Sequence, residues 1–172
     1  NLDITLGLND RALMDFSDVA LGRCPLARAA VEHPTLKGLS LLTAPMTMPA
    51  SLTPDKVRAL LDNARSMYDY VLIDSPAGLG PGFRLAICGA DRVIVVATND
   101  TSSLRDAQRT VTELEGVRQV HLVMNRIQAK LLRRLRATID DAMDAAGLPL
   151  IGVVPEDPQV ILCANLAQPH TP

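Results

Sequence analysis

Apolar residues gather in four short, nearly unbroken runs, Tyr70–Ile73, Val93–Ala97, Val120–Met124 and Leu150–Val154, with a weaker fifth at Leu39–Leu42. Runs of this length, rich in Val, Ile and Leu, suit strands buried on both faces of a parallel sheet. Between them the spacing turns helical. Thr53-Pro54-Asp55 reads as N-cap, first-turn proline and first-turn acid, and Val57, Leu60, Leu61, Ala64 and Met67 then form one stripe. Ser102 or Ser103 is placed to cap a second helix, with Leu104, Ala107, Val111 and Leu114 on one side and Gly116 at its end.

The third helical stretch carries a conflict. A continuous helix from Gln128 to Ala146 would set Lys130, Arg133, Arg134 and Arg136 first and Asp140, Asp141 and Asp144 last, against the helix dipole. A break at Thr138 removes it, because Thr138 then caps a helix with Asp140 and Asp141 in its first turn. A basic loop or short turn is expected before that cap. Residues 8–38 read as helical or irregular, with turn signals at Gly22, Pro25, Pro34 and Gly38. The alternation of strands and helices predicts an α/β fold, a doubly wound, mostly parallel sheet with helices on both faces.

Composition narrows the partners more than the fold. The chain has 172 residues, enough for one domain with a substantial core, and its net charge is −2. With 2% aromatic residues and no Trp it offers no base-stacking surface, so no nucleic acid is expected as a partner. Cys24, Cys88 and Cys163 are far apart and form no CxxC pair; they read as small buried hydrophobes in a reducing cytoplasm. His33, His121 and His170 have no ligand spacing between them. The chain opens on Asn1 and closes on Gln168-Pro169-His170-Thr171-Pro172, and is expected to be an internal piece of a longer protein.

In open parallel sheets, ligands bind beyond the carboxyl ends of the strands, so the polar residues there are the candidates. They are Asp74-Ser75-Pro76-Ala77-Gly78, Thr98-Asn99-Asp100, Asn125-Arg126 and Pro155-Glu156-Asp157. An acid directly after an apolar strand, as in Val71-Leu72-Ile73-Asp74, is the Walker B arrangement, in which a carboxylate orients water on a phosphate-bridging Mg²⁺. A helix-capping aspartate accounts for Asp74 equally well. Gly78, Gly80 and Gly82 follow in a loop whose amides are free to approach a phosphate. Asn125 and Arg126 are suited to a nucleobase edge and face, or to a surface turn. Asp157 is placed to cap the segment from Pro158 to Leu166. The basic set at 130–136 reads as a solvated face. No GxxxxGK[ST] loop occurs in the chain.

The run Tyr68-Asp69-Tyr70-Val71-Leu72-Ile73-Asp74-Ser75-Pro76-Ala77-Gly78 resembles the Walker B and switch II segment of the MinD/ParA family of deviant-Walker P-loop ATPases. The likeness continues in order through Gly82-Phe83, residues 90–96, residues 103–107, residues 122–127 and residues 150–157. Asn1-Leu2-Asp3 with Leu6-Gly7-Leu8 resembles the segment after the family's second strand. Gly80 stands where the family usually has an acid, and Gln108 replaces a usual aspartate.

The resemblance implies a truncated P-loop NTPase domain over residues 1–172, from an ATP-binding and ATP-hydrolysing switch of the type that places the bacterial division septum. It implies ATP and Mg²⁺ as cofactors, with Asp74 as catalytic and metal-site residue. Ala77 and Gly78 would sense the terminal phosphate, and Asn125, Arg126, Pro155, Glu156 and Asp157 would line the adenine pocket. A homodimer in the ATP state is implied, with regulatory partners at Arg105 and Asp106. The parent is expected in the cytoplasm, peripheral at the inner face of the cell membrane, held by a helix beyond Pro172. The phosphate-binding loop is expected upstream of Asn1, and its strand beside 70–73, so its loss should expose an edge and apolar surface mid-sheet and leave the chain alone marginally folded and inactive. Alternatives are a partitioning or flagellar-number ATPase of the same fold, or a non-catalytic binding module without the phosphate loop.

Overall fold

The structure, a computed structural model, describes residues 2–8, 11–114, 116–135 and 138–166. Arg136 and His170 of the readings above lie outside these residues. The chain divides into two compact units, residues 1–76, 81–89 and 158–172 in the first and residues 77–80 and 90–157 in the second.

The first unit is organised by one long helix. It begins with short helices α1 (Leu2–Thr5), α2 (Phe16–Ala20) and α3 (Leu26–Ala29), followed by β1 (Val31–Glu32) and β2 (Ser40–Leu41). The start of α2 is fixed by a capping box: Asp15 accepts from the Ser17 and Asp18 amides, and Asp18 accepts in return from the Asp15 amide. Strands β1 and β2 form a separate two-residue antiparallel pair, so the weak run at 39–42 does not join the parallel sheet. It is too short and too polar around Ser40 to hold a place in a buried ladder.

Helix α4 (Pro54–Met67) begins at Thr53 with proline in its first turn, as its sequence requires, although Thr53 makes no capping hydrogen bond through its side chain. Val57, Leu60, Leu61 and Ala64 are buried on one stripe, while Met67 at the end stays exposed. Leu52 joins this core, and Phe16, Val19, Leu42, Leu85 and Cys88 pack around it. Helix α5 (Pro81–Ile87) lies where the sequence suggested only a glycine loop. Gly82 is inside it, and a Cβ there would stand 2.9 Å from Pro76 Cγ. Beyond α5 the chain is tied to α4: Arg58 donates to the Cys88 carbonyl at 3.0 Å and Arg65 to that of Gly89 at 2.6 Å. At Gly89 a Cβ would meet Leu61 Cδ1 at 2.7 Å, so the buried Leu61 side chain would have to shift to admit one.

Residues 70–73, expected as a doubly buried strand, form no strand. Tyr70 is 87% and Leu72 91% exposed, and Val71 and Ile73 are exposed as well. A strand is stabilised by the ladder beside it, and among the described residues none pairs with this segment.

The second unit holds β3 (Val93–Ala97), α6 (Thr101–Glu113), β4 (Val120–Ile127), α7 (Ala129–Leu135), α8 (Ile139–Ala146) and β5 (Leu150–Pro155). Its sheet is parallel in the order β3-β4-β5, with Val95 opposite Leu122 and Leu122 opposite Leu150. Val95, Ala97, Leu122 and Met124 are buried on the side that α6 and α8 cover, with Ala107 and Ala146 packed above. Burial is one-sided in β3, because Ile94 and Val96 on its alternate positions are exposed.

Asp100 caps α6, accepting from the Ser103 amide at 2.9 Å, two to three residues before the serines the sequence suggested. The Ser103 hydroxyl is instead used by the Thr98 amide at 3.0 Å. Thr138 caps α8 with a complete capping box to Asp141. The stretch before it is helix α7 rather than a loop. Once the chain breaks at Thr138, Arg134 falls in the last turn of a short helix, where the dipole favours cations. Helix α9 (Pro158–Asn165) returns to the first unit.

Leu122, wholly buried in the central strand, and Leu72, on the unpaired segment, provide a direct contrast. Leu122→Ala is expected to cost about 3 kcal/mol in chemical denaturation, against less than about 0.5 kcal/mol for Leu72→Ala. Equal losses would contradict the burial described.

Candidate functional site

Parallel pairing brings the carboxyl ends of β3, β4 and β5 to one edge of the sheet. An open cavity of about 230 Å³ lies there, lined by Thr98, Asn99, Asp100, Arg126, Gln128, Leu131, Leu132 and Glu156. Each of the three strands contributes its terminal polar residues, and the first turn of α7 closes the floor.

The central feature is an irregularity in β4. Its register with β5 shifts between Met124 and Ile127, so Asn125 and Arg126 form a bulge. Arg126 has φ of 55°, the left-handed region, and is the one non-glycine residue with positive φ among the described residues. For a residue with a Cβ this costs about 1–2 kcal/mol and needs support from its surroundings. Two hydrogen bonds give it. The Asn125 side-chain oxygen accepts from the Arg126 amide at 2.9 Å, and Glu156 Oε1 accepts from the Arg126 guanidinium at 2.9 Å. Glu156 Oε2 accepts from Gln128 Nε2, and the Glu156 amide donates to the Ile127 carbonyl at 3.1 Å. Backbone and side chain of Glu156 together fasten the end of β4 to the end of β5.

The carboxylates here are held ionised. The hydrogen bond from Arg126, then that from Gln128, pulls the Glu156 carboxyl below the usual glutamate range. Asp100 is lowered by the Thr98 hydroxyl at 2.5 Å and then by the Ser103 amide.

The structure gathers Asn125, Arg126, Pro155 and Glu156 at this edge, with Asp157 next in the chain. Asp74 stands in the first unit, exposed at the end of the segment 70–73. Ala77 and Gly78 are exposed in a bend, and Gly78 has φ of 84°, a conformation that favours glycine. Arg105 and Asp106 are exposed on α6, where Asp106 meets Arg109 at 3.7 Å. Gln128, Leu131 and Leu132 escaped the sequence reading. Their signal was the i, i+3, i+4 spacing that puts all three on one face, which the Leu131 and Leu132 amides confirm by donating to the Gln128 carbonyl. Among the described residues no three His, Cys, Asp or Glu side chains cluster as a metal cage, and no helix is long and apolar enough to cross a membrane.

The chain is 36% identical, over 98% of its length, to a septum site-determining protein MinD of Emiliania huxleyi, spanning 64% of that relative. It matches the structure of the MinC:MinD cell division protein complex of Aquifex aeolicus with a TM-score of 0.88 at 33% identity, covering 98% of this chain and 69% of that one. It shares the fold of the Pyrococcus horikoshii MinD complexed with Mg-ADP, with a TM-score of 0.79 at 24% identity, over 98% of this chain and 69% of that chain. No family model matches the chain.

The Glu156 carboxylate is stabilised by partners in the folded state, so its contribution to stability is present above the ordinary glutamate value of 4.5 and is lost as pH falls through the lowered folded value. A carboxyl-detected NMR titration is expected to give a Glu156 midpoint below 4.5. Replacing Arg126 by Met should raise it; an unmoved midpoint would show that Arg126 is not its cause.

Proposed function

The chain belongs to the MinD family of septum site-determining proteins, and from that premise we propose that it is the nucleobase-binding and Walker B portion of an ATP-hydrolysing switch. The observation that supports this most is the strained bulge at Asn125-Arg126, fastened by Glu156 beside a cavity at the strand ends. Strain of this kind, in a residue aimed at a cavity, is what a ligand clamp requires. Asn125 offers an amide to a base edge and Arg126 a planar cation to its face.

Asp74 fits the metal's chemistry. Mg²⁺ keeps several waters and takes one or two carboxylates besides the substrate phosphates, so a single exposed acid without a protein cage is an adequate donor set. When bound, the ion neutralises charge on the phosphates; Asp74 would hold a water in its coordination shell. Ala77 and Gly78 present backbone amides without side-chain hindrance, as a terminal-phosphate sensor needs. Phosphate-binding lysines would come from a segment outside residues 1–172.

Three features of the parent follow from the same reading. It dimerises when ATP is bound. It works at the inner face of the cell membrane, through a helix beyond Pro172. It meets a regulatory protein at the exposed Arg105 and Asp106 of α6; the solved complex of MinC with MinD from Aquifex aeolicus supports a protein partner as such.

Asp74→Asn in the full-length protein is expected to lower Mg²⁺-dependent ATP turnover about 10–100-fold, with the thermal melt unchanged because the side chain is exposed. Asn caps helices nearly as well as Asp, so a merely capping role predicts no change in either measurement. Unchanged turnover would remove Asp74 from the metal site. The 172-residue chain by itself should show no hydrolysis and only weak Mg·ATP binding by titration calorimetry; low-micromolar affinity would overturn that expectation.

A further inference from the structure

We propose that Glu156 is a positioning residue rather than a ligand of the nucleotide: it holds Arg126 at the rim of the cavity, and thereby sets how strongly the base is gripped. The inference rests on the reading of this edge as the nucleobase end of the site, and it changes the role of one of the residues assigned to it.

The geometry separates the two roles. Each Glu156 carboxylate oxygen already accepts a hydrogen bond from the protein, one from Arg126 and one from Gln128. Its amide is spent on the Ile127 carbonyl. Glu156 lines the cavity, but both of its carboxylate oxygens are already engaged by protein donors and its side chain is 24% exposed. The Arg126 side chain is 63% exposed, and only one of its terminal nitrogens is held by Glu156. Its guanidinium is therefore oriented by one contact and otherwise open. A planar cation held along one edge presents its face, the surface that stacks on an aromatic ring. Leu131 and Leu132 supply an apolar wall in the same cavity.

The backbone explains why a tether is needed. Arg126 sits in a conformation that an L-residue leaves readily, and a long side chain loses rotamer freedom when fixed. Glu156 supplies that order before any ligand arrives, so the entropy cost is not charged to binding. Gln128 is the second anchor. It binds the other carboxylate oxygen and immediately precedes α7, whose first turn carries Leu131 and Leu132. The clamp thus links the polar rim of the cavity to its apolar wall through one carboxylate.

Glu156→Gln is an informative change because it preserves size and an acceptor for Arg126 but removes the charge, so the ion pair that holds the guanidinium is lost. Binding to the full-length protein would be measured by titration calorimetry with two probes in Mg²⁺, ATP and inorganic tripolyphosphate, which lacks the base. Glu156→Gln and Arg126→Lys are each expected to weaken ATP about tenfold and to leave tripolyphosphate unchanged, and the double variant to be no weaker than either alone. A structural role would weaken both probes together, and that result would overturn the proposal; so would additive losses in the double variant, or an unaltered ATP affinity. Should Glu156→Gln melt early, Arg126→Lys alone decides by the same comparison of probes. If the unaltered protein binds ATP no better than tripolyphosphate, the base is not read at this edge, and the nucleobase reading itself falls. If it prefers ATP and the variants keep that preference, only the positioning role of Glu156 falls.

Discussion

Strand β4 carries the second unit, because it is the member that both other strands need. Its Leu122 and Met124 are wholly buried, and its two edges pair with β3 and β5 in parallel register. Parallel pairing obliges each connection to cross over the sheet, and α6 and α8 do so while covering the buried side. The same constraint sets the chemistry. Three parallel strands must end together, so Asp100, Arg126 and Glu156 reach one edge although they are far apart in sequence. The β3–β4 ladder is regular from Val93 to Ala97, whereas the β4–β5 ladder shifts register twice, between Leu122 and Val123 and again between Met124 and Ile127, where the polar residues begin.

Much of this was legible in the chain. The runs at 93–97, 120–124 and 150–154 are bounded by turn residues and became strands, and the charge order around Thr138 located a helix boundary that the capping box confirms. Legibility failed where structure depends on a neighbour. Residues 70–73 have the same apolar content as β3, yet a strand is a relation between two segments, and its partner cannot be read from its own residues. Asp100 outcompeted Ser102 and Ser103 as a cap because the Ser103 hydroxyl serves the Thr98 amide, a bond across five residues that no local propensity reveals.

The site was legible by position and illegible by role. That Asn125, Arg126 and Glu156 end strands is a sequence fact; that Arg126 carries backbone strain and that Glu156 faces protein donors are facts of register. A bulge arises from the mismatch of two ladders, and neither strand shows it alone.

The exposed segment at 70–73 has a consequence for handling the chain. Four consecutive apolar side chains with free backbone donors and acceptors form a template on which further copies can stack edge to edge. Asp69 and Asp74, both exposed, bracket it with negative charge, and such flanking charges act as gatekeepers against that stacking. Asp69 and Asp74 together thus form an electrostatic fence around an adhesive stretch. Protonation in acid, or screening in concentrated salt, takes that fence down while the apolar stretch stays exposed.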